Sequence, residues 1–295
     1  MILVQACFTL LIAGPILLGA AFWHRNRSLP APSHAGHRAA LLNSAVLYAL
    51  AFNIVFFLQE LFLVLGKKSL GLVTYLYHNN HSWEGTDPRT ALMQGTGALA
   101  IFVFGVLCLA WFRHVRRATG IWKVLLLWLA FQGLMQSVPQ LMVASFAPDT
   151  DVGQALVGYL HMHQSLVALL AVLSMVATAG ISAWFATPVL ELSPSGEGLD
   201  NPKARLRYVR DVAVGGALVG SALVVPFRVP PATQAVAPFL LMLFSLPWLW
   251  VAAARVTGVE TIPNAINDRL RWEPAALLVL LLLVFRFVLA PGVRF

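Results

Sequence analysis

The sequence predicts an all-α fold, a polytopic integral membrane helix bundle of about eight transmembrane helices with both termini outside. Three observations carry this. Hydrophobic residues make up 59% of the chain and charged residues only 11%, whereas a soluble domain averages roughly 25% charged and needs that charge to cover its surface. The length is nearly used up by solid apolar runs of about 20 residues, the span of a hydrocarbon core. The runs show no alternation, which argues for helices over a closed barrel, the other fold that satisfies its own backbone in lipid. Finally, the basic residues recur in the short connections between the runs.

The runs fall at 2–23, 39–65, 91–112, 121–146, 155–185, 212–227, 233–254 and 275–290. The first carries its positive charge, Arg25 and Arg27, after the apolar stretch and none before it. That is the reverse of a secretory signal peptide, and it reads as a retained span with an outside N-terminus. Arg25, Arg27, Arg38, Arg113, Arg116, Arg117, Lys123, Lys203, Arg205, Arg207, Arg210, Arg255, Arg269 and Arg271 fall on one side. Lys67, Lys68, Arg89, Arg228, Arg286 and Arg294 fall on the other. The positive-inside rule makes the richer side cytoplasmic. The net charge of +8 is thereby explained by orientation, and no nucleic-acid site is expected. A plasma (inner) membrane, of bacterial type, is the expected location. The lipid bilayer is the expected partner, and other membrane proteins are candidate partners. Cys7 and Cys108 fall near opposite faces, out of reach of a shared disulfide.

The chain divides into residues 1–186, a membrane half with intramembrane polar groups; 187–211, a cytoplasmic linker containing Ser193-Pro-Ser-Gly-Glu-Gly and Asn201-Pro; and 212–295, an apolar half. Arg286 is the one charge in a span of that second half, and snorkelling to the headgroups accounts for it. No internal repeat is evident, which weighs against an inverted-repeat transporter.

Intramembrane polar groups are costly and usually face a cavity or a partner. Asn53 and Glu60 are seven residues apart, on nearly one helical face. Gln132, Gln136 and Gln140 form a stripe at i, i+4, i+8. His161 and Gln164 share a face of the next span. The loop after the second span reads Tyr77-His78-Asn79-Asn80-His81-Ser82-Trp83-Glu84-Gly85. His78, His81, Asp149, Asp151 and His161 are all expected in the outer third, a plausible nitrogen and oxygen ligand set for zinc or another divalent metal. Asn53, Gln136, Gln140 and Gln164 would line the cavity. Blander readings stand beside these. The His/Asn loop is also a good turn former, Glu60 also a partner for Lys67 or Lys68, and the Gln stripe also interhelical glue. Haem ligation is disfavoured, since paired histidines on facing helices are not evident.

Phe57-Leu-Gln59-Glu60-Leu61-Phe62-Leu63 resembles a degraded His-Glu-x-x-His helix of the site-2 protease family of intramembrane zinc metalloproteases. Gln94-Gly-Thr-Gly-Ala-Leu with Gly105 is similar to the Gly-rich span that follows in that family. Val138-Pro139 and Pro148-Asp149-Thr-Asp151-Val-Gly153 look like its later Pro and Asp-Gly segment, which supplies the third ligand. The resemblance covers residues 50–156. Gln59 and Leu63 stand where the two histidine ligands belong, and neither aspartate is followed directly by Gly. Glu60 alone matches, at the general-base position. The resemblance implies an outer-facing cavity that binds a divalent metal and hydrolyses a membrane-embedded substrate. There His78 and His81 ligate with Asp149 or Asp151, and Glu60 acts on metal-bound water. Its alternatives are a non-catalytic pseudoprotease-like protein that binds partner helices or aids complex assembly, and a transporter.

Overall fold

The computed structural model describes residues 2–29, 37–115, 120–193, 199, 201–231, 235–260 and 269–295. It is a bundle of apolar helices with a small sheet at one end. Among the described residues, seven helices are long and apolar enough to cross a membrane. They are Ile2–Arg25, Arg38–Lys68, Thr90–His114, Ile121–Val143, Gln164–Glu191, Pro202–Arg228 and Trp272–Leu289. An eighth apolar helix, Ala237–Ala253, has 17 residues, roughly 25 Å at 1.5 Å per residue.

In chain order the helices are α1 (Ile2–Arg25), α2 (His37–Lys68), α3 (Thr90–Met93), α4 (Gly95–His114), α5 (Ile121–Val143), α6 (Asp151–Gly153), α7 (Gln164–Trp184), α8 (Ala186–Glu191), α9 (Pro202–Tyr208), α10 (Gly215–Arg228), α11 (Ala237–Ala253) and α12 (Trp272–Val284). Short π-helical stretches occupy Gln154–Tyr159, Val209–Val214 and Phe285–Leu289. α9 starts as local chemistry dictates. Asn201 is the N-cap, its side chain accepting from the Ala204 N–H at 2.9 Å, and Pro202 follows at the first helical position.

α2 and α5 form the middle of the bundle, with 61% and 78% of their apolar windows buried. α1 and α12 turn most of their surface outward. Ile2 is 84% exposed and Phe287 77%, a belt of apolar side chains that suits acyl chains and not water. α4 and α5 touch backbone to backbone. A Cβ on Gly133 would come 2.6 Å from the Gly105 Cα, the small-residue contact by which membrane helices gain dispersion energy.

The loop between α2 and α3 is not the irregular connection expected of an all-α chain. β1 (Val73–Leu76) and β2 (His81–Glu84) form an antiparallel hairpin, Leu76 opposite His81 and Val73 opposite Glu84. β3 (Val293–Arg294) adds to the other edge of β1, and the Phe295 N–H donates to the Thr74 carbonyl at 2.8 Å. The segment after α12 therefore lies at the hairpin end of the bundle.

At the opposite end, Asn43 Nδ2 donates to the Arg269 carbonyl, Lys203 donates to the carbonyls of Arg27 and Leu29, and Arg205 donates to those of Ala253 and Ala254. The basic connections expected to share one face thus meet. Arg116, Arg117, Ser195 and Gly196 lie outside the described residues.

Two boundaries differ from expectation. The 187–211 linker is shorter, because α8 runs to Glu191 and α9 begins at Pro202. The span expected over 155–185 is broken after Tyr159 and resumes at Gln164. The break passes through His161, whose φ of 48° no continuing helix adopts. The two expected halves also interleave, since α10 packs along α2: a Cβ on Gly220 would meet the Ala45 carbonyl at 2.7 Å.

Candidate functional site

The hairpin end of α2 carries the site. Asn53, Glu60 and Lys67 recur every seven residues, two helical turns, so all three lie near one stripe of α2. The hairpin folds down over this stripe. Buried Asn79 fixes its turn, donating at 2.7 Å to the carbonyls of both Arg228 and Pro230. That anchoring brings His81, the first residue of β2, onto Glu60.

With Lys67 as an ammonium the chain of bonds fixes the His81 tautomer. Lys67 Nζ lies 2.8 Å from His81 Nε2 and donates at 2.8 Å to Gln94 Oε1. An ammonium can only donate, so Nε2 is the acceptor and the imidazole proton sits on Nδ1. That Nδ1–H faces Glu60 Oε2 at 2.8 Å. Trp83, two residues along β2, stacks on His81 with ring centroids 5.9 Å apart, and the Lys67 ammonium lies 4.5 Å from its centroid. Lys67 is 0% exposed, Gln94 4% and Glu60 7%. Charges so enclosed persist only when paired.

A second carboxylate flanks the first. Gln59 Nε2 donates to Asp151 Oδ2 at 3.4 Å, and Gln140 Nε2 donates to Gln59 Oε1 at 3.0 Å. The stripe continues down α5: Gln140 donates to the Gln136 carbonyl, and Gln136 to Gln132 Oε1 at 3.0 Å. Burial first, and then the nearby Glu60 carboxylate, raise the Asp151 pKa above the ordinary aspartate value.

Arg228, the last residue of α10, supplies a second cation. It is 0% exposed, its guanidinium carbon 3.2 Å from the Phe56 ring centroid. None of its three side-chain nitrogens has a hydrogen-bond partner among the described residues. Two acids, Glu60 and Asp151, therefore lie near two basic residues, Lys67 and Arg228, with the His81 imidazole between Glu60 and Lys67.

The expected site residues separate. Glu60, His81 and Asp151 share this cluster, with Gln140 bonded into it through Gln59 and Gln136 one turn further along α5. Asn53 is fully buried, its amide donating to the Ala49 carbonyl at 2.8 Å. His78 points away. Its Nε2 lies 3.2 Å from the Pro230 carbonyl, and its pKa is lowered by burial first. Asp149 is exposed, and its backbone carbonyl accepts from Gln154. His161 and Gln164 are exposed because the helix break turns them outward. Arg286 does not simply snorkel: it donates to the carbonyls of Pro226 and Val229. Gln94, Trp83 and Arg228 are members that sequence reasoning did not place in the site, and Lys67 entered it only as an ion-pair partner for Glu60. The available signal was Lys67 at i+7 from Glu60.

The expected zinc or other divalent ion does not fit this donor set. Among the described residues, no three His, Cys, Asp or Glu side chains group to hold a metal. The His81 nitrogen that faces away from Glu60 already faces an ammonium at 2.8 Å, which repels a second cation.

No family model, no curated protein and no solved structure matches this chain.

Proposed function

We propose that this chain is a non-catalytic membrane protein with the layout of an intramembrane metalloprotease and a lysine ammonium in the cation's place. It works by binding a membrane-embedded ligand beside that centre. One observation carries the reading: Lys67 Nζ sits within 2.8 Å of both His81 Nε2 and Gln94 Oε1, with Glu60 on the far side of the imidazole. The two residues that a hydrolytic centre would use as ligand and base are spent on each other and on the ammonium. The cluster then serves to lock the hairpin onto α2. The distribution of basic residues supports an orientation with the hairpin end and both termini outside.

Metal analysis of the detergent-purified protein tests this. The expected result is no stoichiometric zinc, manganese, iron or cobalt in the wild type, and no change in His81→Ala. A stoichiometric metal that is lost on His81→Ala would overturn the reading in favour of a metal-dependent hydrolase.

A further inference from the structure

We infer that the lateral groove between α4, α5 and the π-helical stretch Gln154–Tyr159 holds one acyl chain of a bilayer lipid, its head at the hairpin-side interface. The inference rests on the ligand-binding reading above and names the ligand class.

The groove encloses about 330 Å³, near the lower end of ligand cavities. Leu99 and Phe102 of α4, Val138 and Leu141 of α5, and Ala155 and Leu156 of the π-helical stretch line it. The one hydroxyl in the lining, Ser137, is spent on the carbonyls of Gly133 and Leu134 at 2.6 and 3.1 Å. No polar atom is left to reward a polar occupant, so the slot takes hydrocarbon.

Its shape selects a single chain. At the upper end a Cβ on Gly95 would lie 3.3 Å from the Ala155 Cβ, so the walls close there and the slot opens sideways, where Leu99 and Phe102 are exposed. A partner helix, about 10 Å across, does not enter such a slot. The π-helical wall is itself unusual, since π-bulges concentrate at functional sites.

Its polarity selects a lipid. The groove descends from Gly95 and Val152 at the hairpin end to Phe102 and Ser137, deeper in the bundle. Its upper rim is polar. Arg89, exposed and paired with Asp87 at 2.8 Å, precedes α3, which packs on the π-helical stretch that Tyr159 ends. An apolar slot beside the Arg89–Asp87 pair and the Tyr159 phenol at interface depth matches an amphiphile with head up and tail down.

The test is photo-crosslinking of the full chain in phosphatidylcholine vesicles doped with phosphatidylcholine bearing a diazirine in one acyl chain, with sites mapped by peptide mass spectrometry. A parallel arm uses a diazirine fatty acid, which separates a phospholipid tail from a free fatty acid. Labelling is expected to concentrate on the peptides carrying Leu99, Phe102, Leu141 and Leu156. Filling the slot with Ala98→Phe should reduce that labelling on the order of tenfold, while labelling of the lipid-facing side of α12 is unchanged. Leu156→Ala, which widens the slot, should raise it and guards against a filled variant that fails to fold. Uniform labelling of groove and α12 peptides, insensitive to both variants, would overturn the inference. The two proposals fail separately: bound metal with groove labelling sinks the non-catalytic reading alone, and no metal with no groove labelling sinks the acyl-chain site alone.

Discussion

Glu60 and His81, 21 residues apart in sequence, meet at 2.8 Å through Oε2 and Nδ1, and Lys67 closes the far side of the same imidazole. A hairpin strand is thereby tied to a membrane helix by a charge-assisted bond, and its removal has a readable cost. In a double-mutant cycle of Glu60→Gln and His81→Phe, the coupling energy should be about 1.5–3 kcal/mol, the range for hydrogen bonds to charged groups. Equilibrium unfolding of detergent-solubilised protein measures it. Additive single-mutant effects would show that the pair is not an energetic unit.

Lys67→Met should be more costly than either change alone. It strips a buried carboxylate cluster of its nearest cation, and breaking a buried pair from one side costs about 3–5 kcal/mol. Arg228→Met is expected to behave oppositely. The guanidinium has no hydrogen-bond partner to lose, so thermal stability should stay level or rise. Melting temperatures of the two variants, measured side by side, check the contrast.

Asp151 gives the site a pH signature. Its pKa is raised in the fold, by burial and then by Glu60, so the fold binds that proton more tightly than the unfolded chain does. The associated stability is complete below the unfolded aspartate pKa of about 3.9 and is lost as pH rises through the raised folded value. The melting temperature of the wild type relative to Asp151→Asn should therefore climb as pH falls. Exposed Asp149→Asn should show no such slope. Parallel curves for all three proteins would contradict the burial of Asp151.

Opposite faces are expected for the hairpin and the basic connections. On a cysteine-free background, Thr86→Cys and Asn26→Cys should react with a membrane-impermeant maleimide from different sides of sealed vesicles. Labelling of both from one side would break the bundle topology.

Much of this architecture was legible because hydrocarbon imposes a length rule. Among the described residues, seven apolar stretches of 18 or more announce helices without any help from packing. The sheet was not legible. β2 reads His-Ser-Trp-Glu, without alternation of apolar and polar residues, and β3 has two residues. Strands this short take their stability from Asn79 and from the Thr74–Phe295 bond, contacts remote in sequence. Glu60, Lys67 and the Gln stripe could be found by helical phase, and Asp151 by its place in the turn between two spans. Arg228 could not, because it ends a helix at the depth where a basic residue usually marks orientation. His161 was misplaced because the apolar run continues through a backbone break that composition does not reveal.

The pairing of β3 with β1 bears on how the molecule is made. The hairpin emerges from the ribosome after two apolar helices, but its second edge has no mate until the segment beyond α12 has been synthesised and brought to the same end of the bundle. A nascent chain halted before α12 would carry an open strand edge over Glu60 and Lys67. The second edge of the hairpin is thus covered only once α12 has returned the chain to that end of the bundle.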